Sequence, residues 1–175
     1  MNRWSYAALP VLLLACSKLL TIRVEEESTT VVEQGTLLED IVGDLGFEGF
    51  MALDISESTE LKNQGVEPGD IKEVFLEELV LEADGDLSFI EELEFFVESE
   101  GLPRQRIAYQ TSFPEGETRS EMVLEDVDLT EYVVAESMDI TTEVVGTRPE
   151  EDTEITGLIA LSVGVTAKGA CNQVK

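Results

Sequence analysis

The stretch Phe89-Ile90-Glu91-Glu92-Leu93-Glu94-Phe95-Phe96-Val97-Glu98 decides the fold class. Leu93, Phe95 and Val97 share one parity, and Glu92, Glu94 and Glu98 share the other. Period-two alternation of this kind is the pattern of a strand with one buried and one wet face. Residues 155–165 repeat it: Ile155, Gly157, Ile159, Leu161, Val163 and Val165 fall on one side. Between these two, Met138, Ile140, Thr142 and Val144 mark a third strand, with 105–111 and 122–127 as two more.

Upstream, 71–82 is a long strand with apolar residues of both parities, the pattern of a central strand covered on both faces. Leu20, Ile22 and Val24, continued by Thr30 and Val32, open the series, and 50–55 supplies another strand. Turn chemistry separates the runs at Pro68-Gly69-Asp70, Gly101-Leu102-Pro103 and Pro114-Glu115-Gly116-Glu117. Residues 36–42 suit a short helix. Ser58 to Gln64 reads as a helical turn stopped by Gly65, and Asp128-Leu129-Thr130-Glu131 as a capping box opening one turn of helix. The expected architecture is all-β: an antiparallel sandwich of about eight strands with one or two short helical turns.

The first sixteen residues carry a different message. Arg3 gives a short positive region, residues 7–15 an apolar run broken by Pro10, and Leu13-Leu14-Ala15-Cys16 ends it. A secretory apolar region is about 7–15 residues, too short for a bilayer core that needs about 20. A cysteine straight after a small residue at the end of that run resembles the lipobox of bacterial prolipoproteins. The resemblance implies cleavage before Cys16 and acylation of Cys16. The expected organisation is a signal peptide over 1–15, a lipidated cysteine and very short tether over 16–18, and one sandwich domain over 19–175. Only Ser17 and Lys18 form the tether, a reach of about 10 Å at ~3.5 Å per residue. The implied location is the exported side of a membrane, held by acyl chains on Cys16. Ser17, not aspartate, following the cysteine points to the outer membrane if sorting resembles that of enteric bacteria.

Residues 66–116, with Leu87-Ser88-Phe89-Ile90 and the run Gly101-Leu102-Pro103-Arg104-Gln105-Arg106-Ile107-Ala108, are similar in layout to predicted lipoproteins of unknown function from bacteria such as the myxobacteria. That similarity implies an exported sandwich and no particular chemistry.

Composition excludes several functions. The net charge is −27, with 38 acidic and 11 basic residues, so a phosphate backbone finds no cationic surface and nucleic acid is not a partner. The chain has no histidine, which removes Ser-His-Asp and Cys-His catalysis and the common histidine-containing zinc and haem sites. No Ser-x-x-Lys arrangement occurs. No catalytic residue is assigned, no cofactor is expected, and an enzyme is not.

The one metal-like stretch is 82–91. With Gly85 set at the glycine of an EF-hand loop, Asp84, Asp86, Ser88 and Glu91 fall at ligand positions, making them weak Ca²⁺ candidates. Val80 then occupies the first-aspartate position, and an Asp-Gly hairpin turn accounts for Gly85 equally well. Cys171 has no intrachain partner if Cys16 carries lipid; a half-buried small residue or an intermolecular disulfide are its two readings. The sequence thus predicts a lipid-anchored, non-enzymatic envelope protein with a structural or protein-binding role, most simply through an envelope protein partner. The alternative is a Ca²⁺-dependent or carbohydrate-binding adhesion module.

Overall fold

The computed structural model describes residues 20–35, 47, 50, 54–135 and 138–166. Among these, eight strands form two four-stranded sheets. Sheet I runs β1 (Leu20–Val32), β8 (Thr153–Val165), β2 (Ile71–Ala83), β5 (Arg119–Glu121). Sheet II runs β6 (Val123–Leu124), β4 (Gln105–Gln110), β3 (Ile90–Glu98), β7 (Asp139–Gly146). Every pairing is antiparallel. The all-β antiparallel sandwich is therefore the observed fold. The first strand pairs with the last, β2 reaches β5, and β3 lies between β4 and β7, a nested winding of the jelly-roll kind.

The predicted faces of β3 and β8 hold. Leu93, Phe95 and Val97 are fully buried, and so are Ile155, Leu161, Val163 and Val165 across the interface from them. Gly157, on the same inward row of β8, leaves the space into which the rings of Phe47 and Phe50 fit. Those rings stack at 5.7 Å between centroids, and Phe47 also meets Phe95 at 6.1 Å. Aromatic pairs in this range add about 0.5–1.5 kcal/mol beyond area burial.

Four sequence readings change. The apolar residues on both parities of β2 do not signal a second covering layer. Bulges between Ile71 and Glu73 and between Leu76 and Glu78 re-phase the strand, so Ile71, Val74, Leu76, Leu79 and Leu81 all reach one core. The described part of the expected 50–55 strand is not extended. Ile55–Glu57 is a 3-10 turn whose Asp54 carboxylate accepts the Glu57 N–H, and 51–53 lie outside the described residues, as does the helix expected at 36–42. The strand expected at 122–127 begins earlier and switches sheets: β5 leaves sheet I at Glu121 and β6 joins sheet II at Val123. The capping box at 128–131 does not form. Helix α2 (Thr130–Val133) has Leu129 at its N-cap, and Asp128 instead accepts the Thr130 N–H at 2.9 Å.

Helix α1 (Thr59–Asn63) forms as its sequence predicts. The Ser58 hydroxyl accepts the Leu61 N–H, and Gly65 follows in the left-handed conformation at φ +64°. Helix α2 covers the length of β2 that β5 leaves open. Leu129 N–H donates to Val74 O at 2.8 Å, and Val74 N–H donates to the Thr130 hydroxyl at 3.0 Å. No helix among the described residues is long and apolar enough to cross a membrane.

Strand direction gives the sandwich two poles. Leu20 is level with Val165 and Ile71, and Glu98 with Asp139, at one end. The 99–104 hairpin and α2 close that end together, the Tyr132 hydroxyl donating to Pro103 O at 2.6 Å. Val32 pairs with Thr153, Ala83 with Ile155, and Ile90 with Gly146 at the other. The thirteen residues of β1 separate the poles by about 40 Å at ~3.3 Å per residue.

Candidate functional site

The chemistry-bearing side chains gather at three places: the loop pole and the outer face of each sheet. At the loop pole, segment 84–89 carries the chain from β2 in sheet I to β3 in sheet II. Gly85 is therefore not in a hairpin turn. It sits where a Cβ would come 3.3 Å from the Thr153 hydroxyl oxygen, which places it against the start of β8.

The four Ca²⁺ candidates fall in or beside this crossover. Asp84 accepts the Glu154 N–H at 2.8 Å. Asp86 accepts the Ser88 N–H at 2.8 Å through one oxygen and the Gly116 N–H at 3.0 Å through the other. These two backbone donors hold the Asp86 carboxyl below the ordinary aspartate range. Glu91 is the extra residue of a bulge between Ile90 and Glu92 and lies exposed on β3. Asp84 and Asp86 thus tie loops together, and among the described residues no three Asp, Glu, His or Cys side chains are grouped to hold a metal.

Other links knit the same pole. Gln34 N–H donates to Asp152 Oδ1 at 2.7 Å, Gly35 N–H to Pro149 O at 3.2 Å, and Thr147 N–H to Phe89 O at 2.7 Å. Leu87 N–H donates to Glu117 O at 2.9 Å. Between the stitched loops lies an open cavity of about 510 Å³, walled by Asp86, Ser88, Glu115, Thr147, Arg148 and Glu151 among others.

Phe96 and Tyr109 lie on the outer face of sheet II, but neither ring is bare. The Arg104 guanidinium lies 3.6 Å over Phe96 and that of Arg106 lies 4.4 Å over Tyr109. Carboxylates pin both cations: Glu98 and Glu143 hold Arg104, while Glu94 and Glu125 hold Arg106. Glu98 sits below the ordinary glutamate range because the Thr141 hydroxyl and then Arg104 bond its charged form. A ring covered by a guanidinium offers no stacking plate to a sugar. Val123 and Val145 flank this network and are about half exposed.

On the outer face of sheet I, the β8 row is small, with Ser162 and Ala160 between β1 and β2. Arg23 reaches across it from β1, bonding Glu25 at 2.7 Å, Glu77 at 3.0 Å and Glu78 at 2.6 Å. Ala160, beside this strap, and Val80 further along β2 are buried although they face away from the core. Glu26 breaks the pattern on the other face: it takes the inward parity of β1, opposite Ile159. Its partial burial, and then the Glu60 carboxylate on α1, push its own carboxyl up.

Cys16 and Cys171 lie outside the described residues. Sequence reasoning passed over Arg148, Glu115 and Thr147, whose loops have no hydrophobic period. The available signal was one arginine within the acidic run 147–152. No family model matches the chain, and no curated protein does.

Proposed function

We infer that this chain is a lipid-anchored protein of a bacterial envelope, exported and held at a membrane by acyl chains on Cys16, with a non-enzymatic structural or protein-binding role. The observation that carries the reading is the Met1–Cys16 sequence, with its short apolar run ending in Ala15-Cys16. Supporting it, β1 begins at Leu20, only four residues beyond Cys16. The sandwich then stands with its Leu20 pole against the bilayer and its loop pole about 40 Å away. The arginine-capped aromatics of sheet II favour a protein partner over a sugar, since tyrosine and arginine with flanking apolar side chains are the usual make-up of protein interfaces. The outer membrane is the proposed destination.

The test is Cys16→Ala. Each acyl chain adds about 0.8 kcal/mol per buried CH₂, and an acidic domain has no other strong attraction for anionic lipid. Metabolic labelling with a fatty-acid probe is expected to mark the wild type alone, and Cys16→Ala is expected to leave the membrane fraction. An unlabelled wild type, or a variant that stays with the membrane, ends the reading.

A further inference from the structure

The loop-pole cavity has a feature that the anchor does not explain. Among the described residues, Arg23, Arg104, Arg106 and Arg119 each engage two or three carboxylates. Arg148 engages none, although Glu115, Glu150 and Glu151 line the same cavity. Those three carboxylates are themselves without an ion pair among the described residues. In a chain with 38 acids and 11 bases, the other four described arginines all find carboxylates. Here one guanidinium and three carboxylates share a wall and are left unspent.

The cavity is also built rigidly. Asp86 joins the 84–89 crossover to the 114–117 turn, Asp84 joins it to β8, and Gln34 joins the end of β1 to the 147–152 loop. Stitching several loops around open space is what a preorganised binding site requires. Its volume of about 510 Å³ falls in the range of small-molecule sites, about 300–1,000 Å³.

The charges select the ligand. A simple anion would meet Arg148 but be repelled by Glu115, Glu150, Glu151 and the ionised Asp86. A simple cation would find the carboxylates but be repelled by Arg148 and leave that guanidinium without a partner. A sugar would want an exposed aromatic face, and the aromatic in this wall, Phe89, is 8% exposed. The geometry points to a binding site for a small zwitterion of the α-amino-acid type, its carboxylate on Arg148 and its ammonium among Glu115, Glu150 and Glu151. Complementary groups of both signs are then satisfied within one small volume, each by a charge-assisted hydrogen bond. The site goes beyond the envelope role and does not depend on it.

Calorimetric titration of the full chain in detergent tests the assignment, with L-alanine as the zwitterion, propionate and ethylamine as its two halves, and glucuronate as a sugar carboxylate. L-Alanine is expected to bind saturably at millimolar or lower concentration, and the other three at least about tenfold more weakly, the effect of losing a charge-assisted contact. Arg148→Gln is expected to abolish alanine binding, and Glu151→Gln to weaken it about tenfold. Both side chains are exposed, so the melting temperatures of these variants should match the wild type. Absence of saturable alanine binding, equal binding of either half, glucuronate binding as tightly as alanine, or alanine binding retained in a folded Arg148→Gln would each overturn the assignment. Because no step uses the membrane, failure of lipidation at Cys16 leaves this result unaffected.

Discussion

Gly157→Ala sets two effects of opposite sign against each other. Gly157 lies in β8 with no positive φ, so alanine can adopt its backbone conformation without strain. On propensity alone the change would stabilise the strand by roughly 0.5–1 kcal/mol. The inward face decides otherwise. A Cβ there would stand 2.9 Å from Phe50 Cε2, 3.3 Å from Phe50 Cζ and 3.4 Å from Phe47 Cε1. Both rings are essentially without solvent exposure and are stacked on each other, so neither can swing aside. Overpacking of a closed core costs about 1–3 kcal/mol, which exceeds the propensity gain. For a chain of this size each kcal/mol moves the melting temperature by about 2–4 °C, so a net loss of about 1–2 kcal/mol is a fall of about 2–8 °C. Differential scanning calorimetry reads this directly. Phe50→Leu, which removes the contacting ring edge, should cost less in the Gly157→Ala background than in the wild type, a coupling that a double-mutant cycle isolates. A Gly157→Ala protein melting at or above the wild type, with no coupling to Phe50, would refute the packing of Phe47 and Phe50 on β8.

Three further outcomes follow from named contacts. Phe95→Asp buries a charge with no partner and should prevent folding, seen as loss of the cooperative melt; Glu94→Lys on the opposite face sets an ammonium beside Arg106 and should cost up to about 1 kcal/mol. Glu26→Gln should raise the melting temperature at pH 7. The folded-state carboxyl of Glu26 is pushed above its unfolded value, so its ionised form opposes folding; the advantage of the glutamine should shrink as pH falls through the raised value and vanish below the ordinary glutamate range, which melts across pH 4–7 would follow. Asp86→Ala frees the Gly116 and Ser88 N–H groups, so hydrogen exchange at these two amides should accelerate. Because the Asp86 carboxyl is held low, the same protection in the wild type should persist well into acid and be lost only as pH falls through that depressed value.

The parts of the fold legible in the sequence are those where a single period persists. Residues 89–98 and 155–165 alternate cleanly, and the inward rows of β3 and β8 are the ones their parity names. Ser58 and Gly65 bracket α1 because cap and stop are local chemistry. Strand order was not legible, since alternation identifies a face and not a neighbour. The two bulges of β2 also hid its true face, because each shifts parity by one residue and so makes a one-sided strand look two-sided. The Gly85 crossover resembled a hairpin because a tight Asp-Gly turn and a passage between sheets draw on the same residue types. The cavity around Arg148 is assembled from three stretches distant in sequence, the 84–89 crossover, the 114–117 turn and the 147–152 loop, and no local pattern brings them together.

The lipid anchor is the central claim, and intact mass spectrometry of the protein extracted from membranes tests it most directly. The expected species begins at Cys16 and carries added mass equal to acyl groups confined to its N-terminal peptide. A chain retaining residues 1–15, or one cut elsewhere with Cys16 unmodified, would contradict it.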